Sequence, residues 1–414
     1  MSAITDSKLS DFCSQFTPTS IAGLAPLKDA ASTFLANEAF PTTRKERFKY
    51  TRLQKLQNAT FSAFEALSFE QLNTYQILHD APTIFVNGPQ LFIPEQLSSS
   101  ISVVSLENSN IEIKSVTHKD VFGAMNCLYA NNGLSIAIND NTVLEGPIQI
   151  IYVHSGGQYF YRNLLKFGKN SEAQIVLAHF STANSIGFSH THTQIEVAQD
   201  ARIKLHKIQS CEQGHFDFNE ERIYQGKQSN FEINTISLNS SFVRNDLHVE
   251  VQGEHAETKL NGAYLLKAQQ HVANYTTIDH QVPNCESFET YKGIIDEQAI
   301  AVFNGKVFVR KDAQKTNAFQ SNANILLSDS ASINSKPELE IYADDVKCSH
   351  GSTTGQLDDN ALFYLKARGL SDKAAKSLLL QAFMDDVINV FKPEGLRGFI
   401  FKALAARFNW QIED

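Results

Sequence analysis

The sequence is poor in the residues that build disulfide-stapled or zinc-stapled domains. Its five cysteines, Cys13, Cys127, Cys211, Cys285 and Cys348, are odd in number and widely separated, and no Cys-x-x-Cys pair occurs. Scattered cysteines of this kind are typical of reduced thiols. The pattern therefore argues against both a secreted disulfide framework and a structural zinc site.

Long apolar runs and an excess of positive charge are also missing. No stretch approaches the roughly 20 consecutive apolar residues that span a bilayer, and the opening MSAITDSKLSDFCSQF has no basic segment followed by an apolar one. We therefore expect a cytoplasmic protein that does not enter a membrane. With 36 basic against 45 acidic residues the net charge is −9, which disfavours nucleic acid as a partner. Proteins are the expected partners.

Several common catalytic motifs do not occur in the sequence. The segments FGKN and NGKV contain Gly-Lys but lack the upstream glycine and the following Ser or Thr of a phosphate-binding loop. No G-x-G-x-x-G, G-x-S-x-G or H-E-x-x-H motif is present either. The sequence therefore contains none of these motifs for nucleotide binding, serine hydrolysis or zinc-dependent proteolysis.

Hydrophobic patterning divides the chain into three regions. Residues 1–84 are predicted to be helical, because APLKDAASTFLANEAF and KERFKYTRLQKLQ carry apolar residues at three-to-four spacing, with a break at Pro41. Residues 85–355 contain short runs of alternating β-branched and polar residues, such as AQIVLAHF and ARIKLHKIQ. Residues 356–414 are predicted to be helical again.

A weak repeat runs through the β region, in which a polar and a small residue introduce an alternating strand. Its copies are EAQIVL from Glu172, DARIKL from Asp200, SNFEIN from Ser229, HAETKL from His255, QAIAVF from Gln298 and SASINS from Ser330. Successive copies begin 28, 29, 26, 43 and 32 residues apart. Strand-sized units at irregular spacing, with few hairpin signals, favour stacked coils over a closed barrel. The sequence predicts a parallel β-helix or a similar β-solenoid.

The last region is predicted to contain three helices. Ser371 is placed to cap the helix in DKAAKSLLLQAFMDDVINVF, and Pro393 ends it. We expect this unit to close one end of the solenoid. Its apolar surface is a candidate docking site for a partner, and the residues assigned to docking are Leu378, Leu379, Ala382 and Phe383.

The segment HTHTQIE suggests a metal site. His190, His192 and Glu196 match half of the metal-binding motif of cupin enzymes, and the two histidines point to the same side of a strand. However, Asn184 replaces the glycine expected six residues before the first histidine, and no second half-motif is found. The alternative is that these imidazoles are satisfied by neighbours or solvent.

The segment DDVKCSHGSTTGQLDD places a thiol and an imidazole on the same side of the last predicted strand. Cys348 and His350 are both suitable ligands for iron and other borderline metals, and a thiol beside a histidine can have a lowered pKa. A structural role is the alternative. Two residues cannot complete a metal site, so any ion or cluster here needs ligands from elsewhere, for example from a partner chain. Cys127 and Cys211 are predicted to be small buried residues.

A longer stretch carries a family resemblance. PELEIYADDVKCSHGSTTGQLDDNALFYLKARGL strongly resembles the SufD side of the SufB/SufD family, the scaffold proteins of the SufBCD complex for iron–sulfur cluster assembly. The resemblance continues through DHQVPNCESFETYKGI, AVFNGKVFVRKDAQKTNAFQSNANILLS and the N-terminal FPTTRKERFKYT. It covers essentially the whole chain and is densest over residues 276–391.

The resemblance implies a right-handed parallel β-helix between two helical regions and no enzymatic activity of the chain itself. It implies a heterodimer with SufB through the β-helices, and SufC ATPase subunits docked on the C-terminal helices. His350 matches the histidine at the SufB interface, where a transient iron–sulfur cluster is assembled, and Cys348 matches a neighbouring position. No stably bound cofactor is expected, and a homodimer of the isolated chain is a further alternative.

Three functions therefore compete. The first is a non-catalytic scaffold subunit that uses His350 and Cys348 with ligands from SufB. The second is a stand-alone metal-dependent β-fold enzyme that uses His190, His192 and Glu196. The third is a purely structural homodimer that carries no ligand.

Overall fold

The structure is a computed structural model that describes residues 7–95, 97–114 and 120–408. The first six residues of the predicted N-terminal region and the end of the last predicted helix, residues 409–410, lie outside the described residues. No helix of the described part is long and apolar enough to cross a membrane.

Within the described residues the chain forms eight α-helices and nineteen strands. The helices are α1 Ser7–Cys13, α2 Ala25–Ala36, α3 Gln54–Gln57, α4 Phe69–Asn73, α5 Val121–Tyr129, α6 Asp359–Ala367, α7 Asp372–Ile388 and α8 Glu394–Phe408. The strands are β1 Thr83–Asn87, β2 Gln90–Phe92, β3 Ile101–Ser105, β4 Leu134–Ile138, β5 Ile148–His154, β6 Gly157–Phe167, β7 Glu172–Ser181, β8 Gly187–Val197, β9 Arg202–Ser210, β10 His215–Gln225, β11 Asn230–Asn239, β12 Phe242–Val251, β13 Glu257–Leu266, β14 His271–His280, β15 Glu286–Ile295, β16 Ile300–Val309, β17 Asn317–Leu326, β18 Ser332–Ile341 and β19 Lys347–Gly355.

The strands build a β-solenoid of about eight turns, which confirms the predicted fold class. Each turn contributes one strand to sheet A, ordered β19-β17-β15-β13-β11-β9-β7-β5-β1-β2, and one to sheet B, ordered β18-β16-β14-β12-β10-β8-β6-β4-β3. Successive strands of a sheet are parallel from β5 and β4 onward. Because side chains alternate along a strand, every second residue points into the lumen between the sheets.

Six strands of sheet A, β7, β9, β11, β13, β15 and β17, begin after the same two-residue corner. A residue with a left-handed backbone lies two positions before the strand; these residues are Asn170, Asp200, Gln228, His255, Asn284 and Lys315. A small residue that is at most 1% exposed follows; these are Ser171, Ala201, Ser229, Ala256, Cys285 and Thr316. The left-handed region favours short polar residues, and the tight corner leaves room only for a small side chain. This geometry accounts for the pairs Asp200–Ala201 and His255–Ala256 of the repeat, and it explains Cys285 as a corner residue.

The irregular spacing of the repeat has a structural origin. The copies from Glu172, Asp200, Ser229 and His255 introduce β7, β9, β11 and β13 of sheet A. The copies from Gln298 and Ser330 introduce β16 and β18, which belong to sheet B. The interval of 43 residues therefore crosses from one sheet to the other.

Helices cover both outer faces of the solenoid. The first part of the N-terminal region and α5 pack on sheet B, where Phe12, Phe40 and Phe122 join Phe188 and Phe218 in one buried cluster. Leu72 of α4 packs instead on sheet A. The C-terminal helices pack on sheet A, where Met384 and Leu396 meet residues such as Val176. The helical unit thus lies along the side of the solenoid and does not close its end, contrary to the sequence-based expectation.

Two local predictions differ from the structure. The helix α5 was not predicted, because its segment VFGAMNCLY is short and apolar like a strand. In KERFKYTRLQKLQ only Glu46–Phe48, a single 3-10 turn, and α3 are helical. Tertiary contacts explain the second difference: the buried Arg244 donates to the Arg47 carbonyl at 2.9 Å and stacks on the Phe48 ring.

Candidate functional site

The solenoid ends in two strands whose outer edges carry no further strand within the described residues. β18 and β19 are the terminal strands of sheets B and A. Their surroundings expose large apolar side chains, including Ile341 and Tyr342, which are 40% and 59% exposed. An open strand edge is a template for pairing with another chain. In β18 the edge is weakened by Pro337, which has no backbone N–H, whereas β19 contains no proline.

β19 places both predicted site residues at this open end. Cys348 stacks in register on Ala318 of the preceding turn, and His350 stacks on Gln320. Both residues lie on the lumen side, since Ala318 and Gln320 are buried there. Consecutive lumen-side residues of a strand are about 6.6 Å apart, so Cys348 and His350 form a pair of neighbouring side chains at the mouth of the lumen.

The two side chains have different environments. Cys348 is partly buried against the small apolar cluster of Val307, Val309 and Ala343. Burial raises the pKa of its thiol, although a hydrogen bond with the Ala318 backbone offsets part of the effect; this direction is opposite to the lowering that a neighbouring histidine can cause. His350 is exposed, and within the described residues it has no hydrogen bond or ion pair with a protein group. Its imidazole is therefore free to meet a ligand or another chain.

A buried carboxyl lies one turn below the residue that supports His350. Gln320 stacks on Glu289 of β15, and the Gln320 amide donates a 2.6 Å hydrogen bond to the Glu289 carboxyl. Burial raises the pKa of Glu289 to about 7, and the hydrogen bond from Gln320 lowers it in part. The lumen beneath His350 therefore holds a group that gains or loses a proton near neutral pH.

Hydrogen bonds across the lumen fix the last turns. The Ser335 hydroxyl of β18 donates to the Asn322 amide oxygen at 2.8 Å and lies 2.8 Å from the Ser352 hydroxyl of β19. Deeper in the lumen, Tyr264 and Asn322 both contact Asn324. The strand that carries Cys348 and His350 is thus tied to the opposite sheet, although most of its own side chains are exposed.

The predicted docking residues on α7 are only partly available to a partner. Leu378, which is 45% exposed, and Ala382 face outward, whereas Leu379 and Phe383 are half-buried. Phe383 packs into the interface with sheet A and lies under the Lys292 ammonium group at 5.0 Å. On the neighbouring helix α6, Phe363 is 74% exposed. An apolar strip remains on the outer side of the C-terminal helices.

The residues His190, His192 and Glu196 do not assemble into a metal site. His190 is buried under α5, where its ring stacks with Phe122 and its Nδ1 lies 3.1 Å from the Asn126 amide. His192 is also buried, and burial together with Arg162 lowers its pKa well below the usual range. Glu196 lies four residues beyond His192 on an extended strand, about 13 Å away. Among the described residues, these three do not form a close group of potential ligands.

A different group of potential ligands lies inside the lumen and was not predicted. His154, His179 and Asp217 come from three strands, and one ligand atom of each lies within 4.8 Å of the others. Cys211 and His215 form a second such group with His154. These residues are widely separated in sequence and match no motif. The available signal was a polar residue at a lumen position of an otherwise apolar strand, as in AQIVLAHF.

Comparisons with known proteins point to one family. The family model described as SUF system FeS cluster assembly, SufBD core domain, matches residues 151–383. The iron-sulfur cluster assembly SufBD family protein slr0076 of Synechocystis sp. PCC 6803 is 29% identical over 408 residues, covering 92% of this chain and 90% of the relative. The iron-sulfur cluster assembly protein SufD of Escherichia coli K12 is 25% identical over 90% of both chains.

A third relative has the same name in another organism. The iron-sulfur cluster assembly protein SufD of Bacillus subtilis 168 is 23% identical over 86% of both chains. The family model spans more than half of the 414 residues and includes most of the solenoid. The chain therefore belongs to the SufBD family of the SUF system for iron–sulfur cluster assembly.

Proposed function

We propose that this chain is a non-catalytic scaffold subunit on which iron–sulfur clusters are assembled at an interface with SufB. The observation that carries the proposal is the open end of the solenoid, where Cys348 and His350 stand side by side on an edge strand. The cluster is the cargo of this site and is transient. The chain works in the cytoplasm in this proposal, as expected from the sequence.

The geometry of β19 supports a site that is shared between two chains. One imidazole and one thiol supply at most two bonds to a metal ion, and iron prefers at least four ligands in sulfur-rich sites. The exposed edge of β19 offers a row of backbone groups to a strand of another chain. A partner that continues the sheet would bring its own side chains opposite His350.

The two residues have unequal roles in this proposal. His350 is exposed and has no protein partner among the described residues, so it can bind iron without first breaking a contact. Cys348 is partly buried and its thiol pKa is raised, so it is protonated in the isolated chain. It becomes a ligand only when a metal ion or a partner displaces the proton. His350 is therefore the principal ligand from this chain.

Energy for the process comes from another subunit in this proposal. The sequence has no phosphate-binding loop, so ATP hydrolysis is assigned to SufC. The outward strip of Leu378 and Ala382 on α7 is the proposed docking surface for SufC. The contact of α7 with β13 and β15 provides a mechanical path from that surface to sheet A, whose last strand carries His350.

The test is cluster formation by the complex produced with SufB and SufC. We expect His350→Ala to lower the iron and sulfide content of the purified complex by more than about tenfold, with Cys348→Ala having a smaller effect. The control is His79→Ala, which removes an exposed histidine from the turn before β1.

Two outcomes would overturn the proposal. Full activity of both His350→Ala and Cys348→Ala would favour the structural homodimer. Loss of activity in His190→Ala, with an unchanged circular dichroism spectrum and a normal result for His350→Ala, would favour the metal-dependent enzyme.

A further inference from the structure

His154, His179 and Asp217 form a group that we call the lumen cluster. The distances between their ligand atoms suit a shared metal ion better than direct hydrogen bonds. His154 Nε2 lies 3.5 Å from His179 Nδ1, and His179 Nδ1 lies 3.4 Å from Asp217 Oδ1. Both distances exceed the 2.7–3.2 Å typical of N–H···O bonds. Two ligands that each lie about 2.1 Å from a tetrahedral ion are about 3.4 Å apart. One ion between the three side chains would satisfy this separation without a large rearrangement.

The charge of Asp217 needs a positive partner. Its carboxylate is fully buried and accepts hydrogen bonds from the neutral Ser189 hydroxyl at 3.2 Å and the neutral Gln209 amide at 3.1 Å. Its Oδ1 also lies 3.4 Å from His179 Nδ1. A buried carboxylate without a close positive partner costs several kcal/mol. The nearby Lys207 does not supply the cation, because it pairs with Glu221.

The ring nitrogens that face the centre of the cluster are His154 Nε2 and His179 Nδ1. An unprotonated imidazole nitrogen offers a lone pair to an ion. The opposite ring nitrogens, His154 Nδ1 and His179 Nε2, have no hydrogen-bond partner among the described atoms.

The donor types narrow the choice of ion. Two imidazoles and a carboxylate suit borderline divalent ions of the first transition row, and a thiol suits such ions better than Mg²⁺ or Ca²⁺. Cys211 lies in the second group of potential ligands with His154 and His215. We propose that His154, His179 and Asp217 bind one divalent transition-metal ion of the Zn²⁺ or Fe²⁺ type, with Cys211 or His215 as the fourth donor.

This site is separate from the end of the solenoid. The cluster lies where β5, β7 and β9 end and β10 begins, whereas His350 is on β19, five sheet A strands beyond β9. The site does not depend on SufB or SufC. The metal proposal can therefore be tested separately from the proposed scaffold function.

Access to the lumen is restricted by the N-terminal region. Residues 62–65 run across the corner above the cluster: the Ser62 N–H donates to the Ile186 carbonyl at 2.9 Å, and the Glu65 N–H donates to the Ser155 carbonyl at 3.0 Å. The Ser155 hydroxyl donates in turn to the Glu65 carbonyl at 2.5 Å. We therefore expect the ion to enter during folding and to be released slowly by chelators.

The experiment measures metal in the full chain alone. The protein is produced in medium supplemented with Zn²⁺, or anaerobically with Fe²⁺, treated with a chelator, and analysed by inductively coupled plasma mass spectrometry. About one ion per chain is expected. His179→Ala and Asp217→Asn should lose most of the ion. The double variant His350→Ala/Cys348→Ala should retain it, which separates this site from the proposed assembly site.

A matched control and a second measurement guard against misfolded variants. His280→Gln removes a buried imidazole outside the cluster, one that bonds to Ser287 at 2.9 Å, and should retain the ion. Refolding the unsubstituted chain with Co²⁺ should produce the visible absorption of a tetrahedral site, with a near-ultraviolet thiolate band if Cys211 is a ligand. Absence of both bound metal and the cobalt spectrum in the unsubstituted chain would overturn the proposal. So would normal metal content in folded His179→Ala and Asp217→Asn.

Discussion

The Gln320 amide donates a 2.6 Å hydrogen bond to the buried carboxyl of Glu289, directly beneath His350 in the stacked turns of sheet A. This pair connects the exposed end of the solenoid to its interior. Because Glu289 has a pKa of about 7, the charge beneath the candidate assembly site changes within the physiological pH range.

Glu289→Gln should change how stability depends on pH. The folded state raises the pKa of Glu289 above its unfolded value, so the native protein binds the extra proton and loses stability as pH rises towards and past about 7. The neutral glutamine has no such loss. The variant should therefore gain stability relative to the unsubstituted chain between pH 5 and pH 8, by at most about 3 kcal/mol. The midpoint of urea unfolding, followed by circular dichroism at several pH values, measures this difference.

The matched control for that experiment is Glu286→Gln. Glu286 lies on the same strand but is exposed and bonds to Asn317, so its substitution makes the same chemical change without affecting the buried pair. A Glu289→Gln variant whose stability runs parallel to that of the unsubstituted chain at every pH would contradict the assignment of a raised pKa.

Cys348 should react slowly with alkylating reagents at neutral pH. Burial raises the pKa of its thiol, and only the thiolate is nucleophilic. We expect its alkylation by iodoacetamide, followed by peptide mass spectrometry, to be slower than that of free cysteine and to rise steeply at alkaline pH. The buried Cys127, Cys211 and Cys285 should react more slowly still.

The variant His350→Ala tests the cause of this reactivity. Because burial sets the pKa of Cys348, removal of the imidazole should leave the alkylation rate of the isolated chain unchanged. A fast rate that is independent of pH near neutrality and is lost in His350→Ala would instead show a thiolate stabilised by the neighbouring imidazole.

Leu378→Asp should weaken the binding of SufC without unfolding the chain. Leu378 projects from α7 on the side away from sheet A, so a carboxylate there remains solvated in the free protein. It would be buried in a complex at a cost of several kcal/mol. The expected result is loss of SufC in a pull-down and a normal melting temperature. Phe383 is unsuitable for this test, because it packs in the interface with sheet A.

Val143→Asp provides the comparison for Leu378→Asp. Val143 is 63% exposed and lies in the turn before β5, outside the C-terminal helices. In both variants, an exposed apolar side chain is replaced by a carboxylate. SufC binding that is equally reduced in both variants, or unchanged in both, would argue against a docking surface on α7.

Much of the fold was predictable because it depends on local rules. The alternation of residues around Ile175 and Val176 follows the period of two that a strand imposes, and the polar-small pairs mark corners with a left-handed residue. The relation between Cys348 and His350 is equally local, since residues two apart on a strand share a side. The predictions that were wrong depend on contacts between distant parts of the chain. The helix α5 was not predicted, and the C-terminal helices were expected at the end of the solenoid.

The lumen cluster shows more clearly what local sequence patterns do not predict. His154, His179 and Asp217 come together because successive turns stack in register and the two sheets face one another. That register depends on the length and path of every turn between the strands, and no local pattern encodes it. The spacing of His190, His192 and Glu196 matches half of a known motif, but these side chains do not form a close group of potential ligands among the described residues.

The sequence by itself determined the solenoid class, the family and the two residues presented on the last strand, because all of these follow from local periodicity or from a long run of matched residues. Only the tertiary structure decided which side chains are buried and which meet across the lumen. Burial and distance set the protonation of Cys348 and Glu289 and the grouping of His154, His179 and Asp217. Those quantities depend on contacts between distant turns of the chain, and they appear only when the turns are stacked.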